Sequence, residues 1–275
     1  MTSPAVWAEG LPEAERQHSR FTVASLGMLG VRVAVMVWTA VWMILLCFLL
    51  AFYPDGPRRR RVAQRGVQLA CRWIVRMSGV RCDWNQPTLP TGALIVANHR
   101  SWLDIPIMLA AGGCTFVGKQ EVRDWPLIGP LSEALGIIWI DRRRMRDLLN
   151  VLPAVEAALQ RGERVVLFPE GTTTNGRQVL PFKSGLFEAA VRTGAPVVPV
   201  AMTGFAAAGD PDALCWYGTE TLVANLPRVL GLRGAGVMLT IEPRVAPVPD
   251  RKAMARSAHA AIARQLHQES IAAPR

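Results

Sequence analysis

Hydrophobic and polar positions along the chain fall into three regimes. From Val33 to Tyr53 no charged residue occurs, and the run carries Trp38, Trp42, Ile44, Leu45, Leu46, Phe48, Leu49 and Leu50. As a helix it extends about 31 Å, enough to cross the hydrocarbon layer of a bilayer. It lies too far from the start, and lacks the small-residue cleavage site, for an ordinary signal peptide. Over about 62–79, Val62, Gly66, Leu69, Ala70, Trp73, Ile74 and Met77 recur at helical spacing, with Arg65, Gln68, Arg72 and Arg76 between them. Such a basic amphipathic helix either lies on an anionic membrane surface or packs on a core with a solvated arginine face. Beyond residue 80 short apolar runs alternate with helical segments. Strands are expected at Val80–Trp84, Ala93–Ala97, Cys114–Gly118, Gly136–Ile140, Arg164–Phe168, Val197–Met202 and Val237–Ile241. Helices are expected at Arg142–Gln160, Phe182–Thr193 and Arg251–Glu269. The pattern predicts an α/β fold, a mixed, largely parallel sheet flanked by helices. A hydrophobic, membrane-anchoring region over 1–79 precedes it, and the α/β domain occupies 80–275.

Charge sharpens this picture. Lys and Arg number 31 against 21 Asp and Glu, a net charge of +10, and 51% of residues are hydrophobic. A basic balance calls for an anionic partner, and the apolar content favours a lipid surface over nucleic acid. Arg58, Arg59, Arg60 and Arg61 follow the hydrophobic run directly, with Arg65, Arg72 and Arg76 beyond, against Arg16, Arg20 and Arg32 before it. The positive-inside rule then puts the rest of the chain in the cytoplasm. A re-entrant or interfacial hairpin competes with a full crossing. The five cysteines are scattered among apolar neighbours without metal-ligand or redox-motif spacing, and read as core residues in a reducing compartment.

The chemistry-bearing stretch is Asn98-His99-Arg100-Ser101-Trp102-Leu103-Asp104, between the strand Ala93–Ala97 and an apolar helical segment that stops at Gly112-Gly113. Open α/β sheets place ligands at that edge. On one continuous helix His99 and Asp104 would point about 140° apart, so they meet only if His99 sits in the loop and Asp104 in the first turn. Ser101 would then be the N-cap. Asp104 is either a capping acid beside an incidental histidine, or the carboxylate that orients a base. A second loop on the same edge, Pro169-Glu170-Gly171-Thr172-Thr173-Thr174-Asn175-Gly176, follows the strand at 164–168 and offers donors to an anion or oxyanion. Pro181-Phe182-Lys183-Ser184-Gly185 reads as the start of a helix whose N-terminus favours negative charge. Arg142, Arg143, Arg144 and Arg146 form a basic cluster near that edge. A metal hydrolase built on His99, Asp104 and Glu170 lacks further histidines nearby, so no metal site is expected.

Together these pieces resemble the glycerolipid acyltransferase family that includes 1-acyl-glycerol-3-phosphate acyltransferases, over roughly residues 80–205. Asn98-His99-x-Ser101-x-x-Asp104 is similar to its His-x4-Asp block. Lys119-Gln120-Glu121-Val122 with Pro126-Leu127-Ile128-Gly129, then Gly136 to Arg142, then Phe168-Pro169-Glu170-Gly171-Thr172, and Val198-Pro199-Val200 resemble the following blocks in order. The resemblance implies transfer of an acyl group from a thioester donor, acyl-CoA or acyl carrier protein, to a lysolipid hydroxyl, with no bound cofactor. His99 would be the general base and Asp104 its orienting carboxylate. Asn98, Ser101, Lys119, Arg142, Glu170, Gly171, Thr172, Thr173 and Lys183 would serve substrate binding. The nominal acceptor is lysophosphatidate, and the expected setting is a bacterial-type inner membrane with the catalytic domain facing the cytoplasm.

One departure bears on the acceptor. Phosphatidate-forming members continue the third block as Glu-Gly-Thr-Arg-Ser, whereas here Thr173 stands in the arginine's position. With Leu180 to Ser184 behind it, this form looks more like acyltransferases of other lysolipids, including bacterial lyso-ornithine lipid enzymes. A non-enzymatic membrane-binding protein is the rival from another class, and it leaves the blocks unexplained.

Overall fold

The computed structural model describes residues 23–54, 56–123, 132, 135–141, 147–205, 212–232 and 235–272. Two long helices come first, α1 (Val23–Ala51) and α2 (Pro57–Ser78). The α/β body follows as β1 (Val80–Trp84), β2 (Ala93–Ala97), α3 (Asp104–Ala111), β3 (Thr115–Lys119), β4 (Ile138–Ile140), α4 (Asp147–Gln160), β5 (Arg164–Leu167), α5 (Phe187–Thr193), β6 (Val197–Phe205), α6 (Leu222–Gly231), β7 (Ala235–Ile241) and α7 (Arg251–Ala272). The sheet runs β1-β7-β6-β2-β5-β3-β4, and every neighbouring pair is parallel except β6–β7.

The strand β2 explains why this sheet sits at the centre. All five of its residues are buried, as continuous apolar runs in parallel sheets require. The pleat sends Ala93, Ile95 and Ala97 into one core and Leu94 and Val96 into the other. The first core also holds Leu46 and Leu50 of α1, Val67 and Val75 of α2, Ile107 and Met108 of α3, and Val229 of α6. The second holds Val155 and Leu159 of α4, Phe187 and Ala190 of α5, and Met254 and Ala258 of α7. The sheet is thus covered on both faces.

The expected strands form, with shifted ends: β4 begins at Ile138, and β6 runs on to Phe205. The helix expected from Phe182 begins only at Phe187. The Lys183 amide donates to the Pro169 carbonyl at 3.0 Å, which holds 181–185 as a loop against the end of β5. The anion-favouring helix start expected at Lys183 is therefore absent. The expected start of α4 at Arg142 lies outside the described residues.

The two amino-terminal helices form where expected and start earlier, α1 at Val23 and α2 at Pro57. Between Leu29 and Ala51, α1 is long and apolar enough to cross a membrane. Yet Arg32, Thr39, Leu46 and Leu50 form a buried stripe along it. The Arg32 guanidinium donates to the Leu230 and Leu232 carbonyls at the end of α6, at 2.5 and 2.7 Å. At the other end Leu46 packs on Gly66 of α2, where a Cβ would stand 2.6 Å from it. The opposite stripe, including Val37, Trp38, Leu45, Phe48 and Leu49, is exposed. The helix α2 starts at Pro57, so the arginine run lies in its first turn. Two of those arginines are internal braces: Arg59 donates to the Leu50 carbonyl at 3.1 Å, and Arg60 pairs with Glu163 at 2.6 Å. Arg58, Arg61, Arg65, Arg72 and Arg76 remain exposed, alongside Val62, Leu69 and Trp73.

Candidate active site

The loops after β2 and β5 lie side by side because those strands are parallel neighbours in the middle of the sheet. His99 Nδ1 stands 2.7 Å from Asp104 Oδ2. The same oxygen accepts the backbone N–H groups of Arg100 at 2.7 Å and Ser101 at 2.9 Å. Three donors thus converge on one carboxylate oxygen, a geometry that closes the loop around the acid. Asp104 opens α3 with Leu103 as N-cap, so Ser101 does not cap the helix; its hydroxyl accepts from the Leu103 amide at 3.3 Å. With Nδ1–H given to Asp104, Nε2 is the ring nitrogen that can take a proton.

His99 is fixed from two further directions. Its ring stacks on Phe168 at a centroid distance of 4.0 Å and an interplanar angle of 12°. Its amide donates to Glu170 Oε1 at 2.8 Å, and its carbonyl accepts the Thr174 N–H at 2.9 Å. Glu170 Oε2 meanwhile accepts the Leu180 amide at 2.9 Å. Glu170 is 4% exposed, and burial pushes its carboxyl up to about 7, against the two backbone N–H groups that favour the charged form. Its carboxylate therefore staples the two loops together.

The other residues singled out from sequence divide by placement. Asn98 is buried and ties β2 to β6, donating to the Met202 carbonyl at 2.9 Å and accepting its amide at 2.7 Å. Gly171 and Lys183 line a cavity of about 260 Å³, with Val117, Ile140, Leu148 and Phe168. Phe168 is shared between that cavity and the His99 ring, so the cavity adjoins the histidine. Gly171 adopts φ +79, and a Cβ there would stand 2.7 Å from Lys183 Nζ. Thr172 is exposed, and Thr173 is half-buried in the same loop. Lys119 ends β3 on this edge and pairs with Glu121 at 3.4 Å. Arg142 lies outside the described residues. Among the described residues no group of three or more His, Cys, Asp or Glu side chains is placed to hold a metal ion. Phe168 was read from sequence as a strand end and as the first residue of the Phe-Pro-Glu-Gly-Thr block, with no role at the site.

The chain has relatives. A family model described as Acyltransferase matches residues 82–203. The chain is 38% identical over 147 residues to a 1-acyl-sn-glycerol-3-phosphate acyltransferase of Neisseria gonorrhoeae, spanning 54% of this chain and 58% of that one. It is 38% identical over 197 residues to a lyso-ornithine lipid O-acyltransferase of Pseudomonas aeruginosa, spanning 69% of this chain and 75% of that one. In fold it superposes on the crystal structure of a 1-acyl-sn-glycerophosphate acyltransferase from Thermotoga maritima with a TM-score of 0.67 at 20% identity, covering 92% of this chain and 99% of that one.

Proposed function

Because the chain belongs to the acyltransferase family, we propose that it transfers a fatty acyl group from a thioester donor to the free hydroxyl of a membrane lysolipid. The observation that carries this reading is the 2.7 Å bond between His99 Nδ1 and Asp104 Oδ2, set in a loop whose amides close on the same carboxylate. Asp104 holds the tautomer with Nε2 unprotonated. Nε2 takes the acceptor's hydroxyl proton as that oxygen attacks the thioester carbonyl, and Asp104 stabilises the imidazolium that forms. The C–O bond forms, the C–S bond breaks, and the imidazolium returns its proton to the departing thiolate. The substrate supplies the nucleophile, so no serine or cysteine of the chain is acylated. The donor is acyl-CoA or acyl carrier protein, a co-substrate rather than a bound cofactor.

Lysophosphatidate is the nominal acceptor, and Lys183 at the cavity rim supplies a cation for its phosphate. Lyso-ornithine lipid is a second reading. It is favoured by Thr173 in the position of the phosphate-holding arginine, and by the longer match to the Pseudomonas enzyme. The contact pattern of α1 supports a helix laid in one leaflet. Arg32 and Leu50 bind the same body about 27 Å apart along the axis. A crossing helix would drag that body into the bilayer. The exposed arginines of α2 favour the anionic cytoplasmic surface.

The test is transfer of labelled acyl groups by the purified protein in detergent micelles, with both donors and both acceptors. His99→Ala is expected to lower kcat by at least 10³-fold, and Asp104→Asn by 10²–10⁴-fold. Wild-type rates in the His99→Ala protein would remove the mechanism. Acylation of lyso-ornithine lipid alone would identify Thr173 as the mark of a different acceptor.

A further inference from the structure

The catalytic loop is held on its inner side by Asp104 and Glu170, and its outer side leans on a segment that the family match, ending at residue 203, does not reach. The Trp216 amide donates to the Arg100 carbonyl at 2.7 Å. Two residues further along the loop, Trp102 Nε1 donates to Asn225 Oδ1 at 3.1 Å. Asn225 lies in the first half of α6 and is fully buried. Its Nδ2 donates to the Cys215 carbonyl and to Glu220 Oε2, both at 2.9 Å. Arg228, one turn further, donates to the Ala213 and Cys215 carbonyls.

We propose that Asn225 is a positioning residue for the transfer reaction, setting His99 by fixing Arg100 and Trp102 on the loop's outer side. It reaches the loop by two routes. One is direct, through the Trp102 indole. The other runs through the Cys215 carbonyl, which shares its peptide unit with the Trp216 N–H that holds the Arg100 carbonyl. A fully buried amide with its oxygen and nitrogen both engaged is costly to assemble and strict in geometry. Core packing in α6 needs no amide there: Val229 and Leu230 supply its apolar contacts. Buried positioning groups matter because a displacement of about 1 Å at a reacting atom lowers a rate about 10²-fold.

This inference rests on the acyltransferase reading, and the experiment separates the two. Kinetics of Trp102→Phe, Asn225→Ala and the double variant would be compared with wild type. Trp102→Phe keeps an aromatic ring but removes the indole N–H together with the second ring, which packs on the core. It is expected to lower kcat about 10-fold while KM for donor and acceptor stays within twofold. The double variant is expected to be no slower than Asn225→Ala, since Asn225→Ala already removes the bond that Trp102→Phe breaks. A kcat within twofold of wild type, a loss carried by KM, or losses that multiply would overturn the proposal. Amide hydrogen exchange over residues 98–104 supplies a readout independent of any substrate. At least 10-fold faster exchange there in Trp102→Phe, with β5 unchanged, is expected, and unchanged exchange overturns the proposal even if no acceptor turns over. Absent transfer in the wild type counts against the activity, not against this contact.

Discussion

Glu170 is the residue whose ionisation the fold changes most usefully. Its ordinary value is 4.5, and burial raises it to about 7 in the folded chain. Between those values the folded chain keeps a proton that the unfolded chain has released, so stability falls as pH rises through that window and levels off above it. The swing is on the order of 3 kcal/mol. Urea unfolding in a mild detergent at pH 4.5 and 7.5 is expected to show the wild type losing stability relative to Glu170→Gln; parallel losses would place the proton elsewhere. A buried acid stapling two loops was not legible from sequence, where Glu170 reads as a loop residue that serves substrate binding. Arg59 and Arg60 were hidden for a similar reason. Each looks like part of a solvated charge run until Leu50 and Glu163, the latter 103 residues distant, arrive as partners. The His99–Asp104 pairing was one of two readings of a five-residue spacing across a loop–helix junction, and the resemblance to the His-x4-Asp block chose between them.

At the scale of elements, the loop after β5 is set by contacts rather than by its own composition. Gly176 has φ +73, and a Cβ there would stand 2.0 Å from Nε of the buried Arg100. Gly162 has φ +74 with nothing within 4 Å. The pair separates backbone strain from crowding. Gly162→Ala is expected to cost about 1 kcal/mol and leave transfer unchanged. Gly176→Ala is expected to cost about 2–4 kcal/mol and to slow transfer, because it displaces a side chain of the loop that carries His99. Equal melting shifts in the two would mean that Arg100 moves aside freely. Elements with a strong periodic signal were readable: the alternating β1 and the continuously apolar β2 begin and end at the expected residues. The helix expected from Phe182 was misread because Phe182 and Leu186 mimic helical spacing, whereas the Pro169 carbonyl captures the Lys183 amide first. The buried Asn225 left no signal at all, being one of two polar residues in an amphipathic run.

For the whole molecule, the decisive matter is how the +10 chain meets the bilayer. If α1 lies in one leaflet, single cysteines introduced at Gly27 and Arg58, both exposed, react with a membrane-impermeant maleimide from the same side of sealed vesicles. A crossing helix would expose them on opposite sides. The exposed Trp38 and Trp42 are expected to be quenched by lipids labelled near the headgroup more than by those labelled at the chain end. Arg32 gives this arrangement a history as well as a geometry. Its partners, the carbonyls of Leu230 and Leu232, lie 198 and 200 positions later in the chain. At about 5–20 residues per second, a ribosome makes them about 10–40 s after Arg32. Throughout that interval the bonds that tie the amino-terminal half of α1 to the end of α6 cannot form, so the helix takes its final seat only after residue 232 has been made.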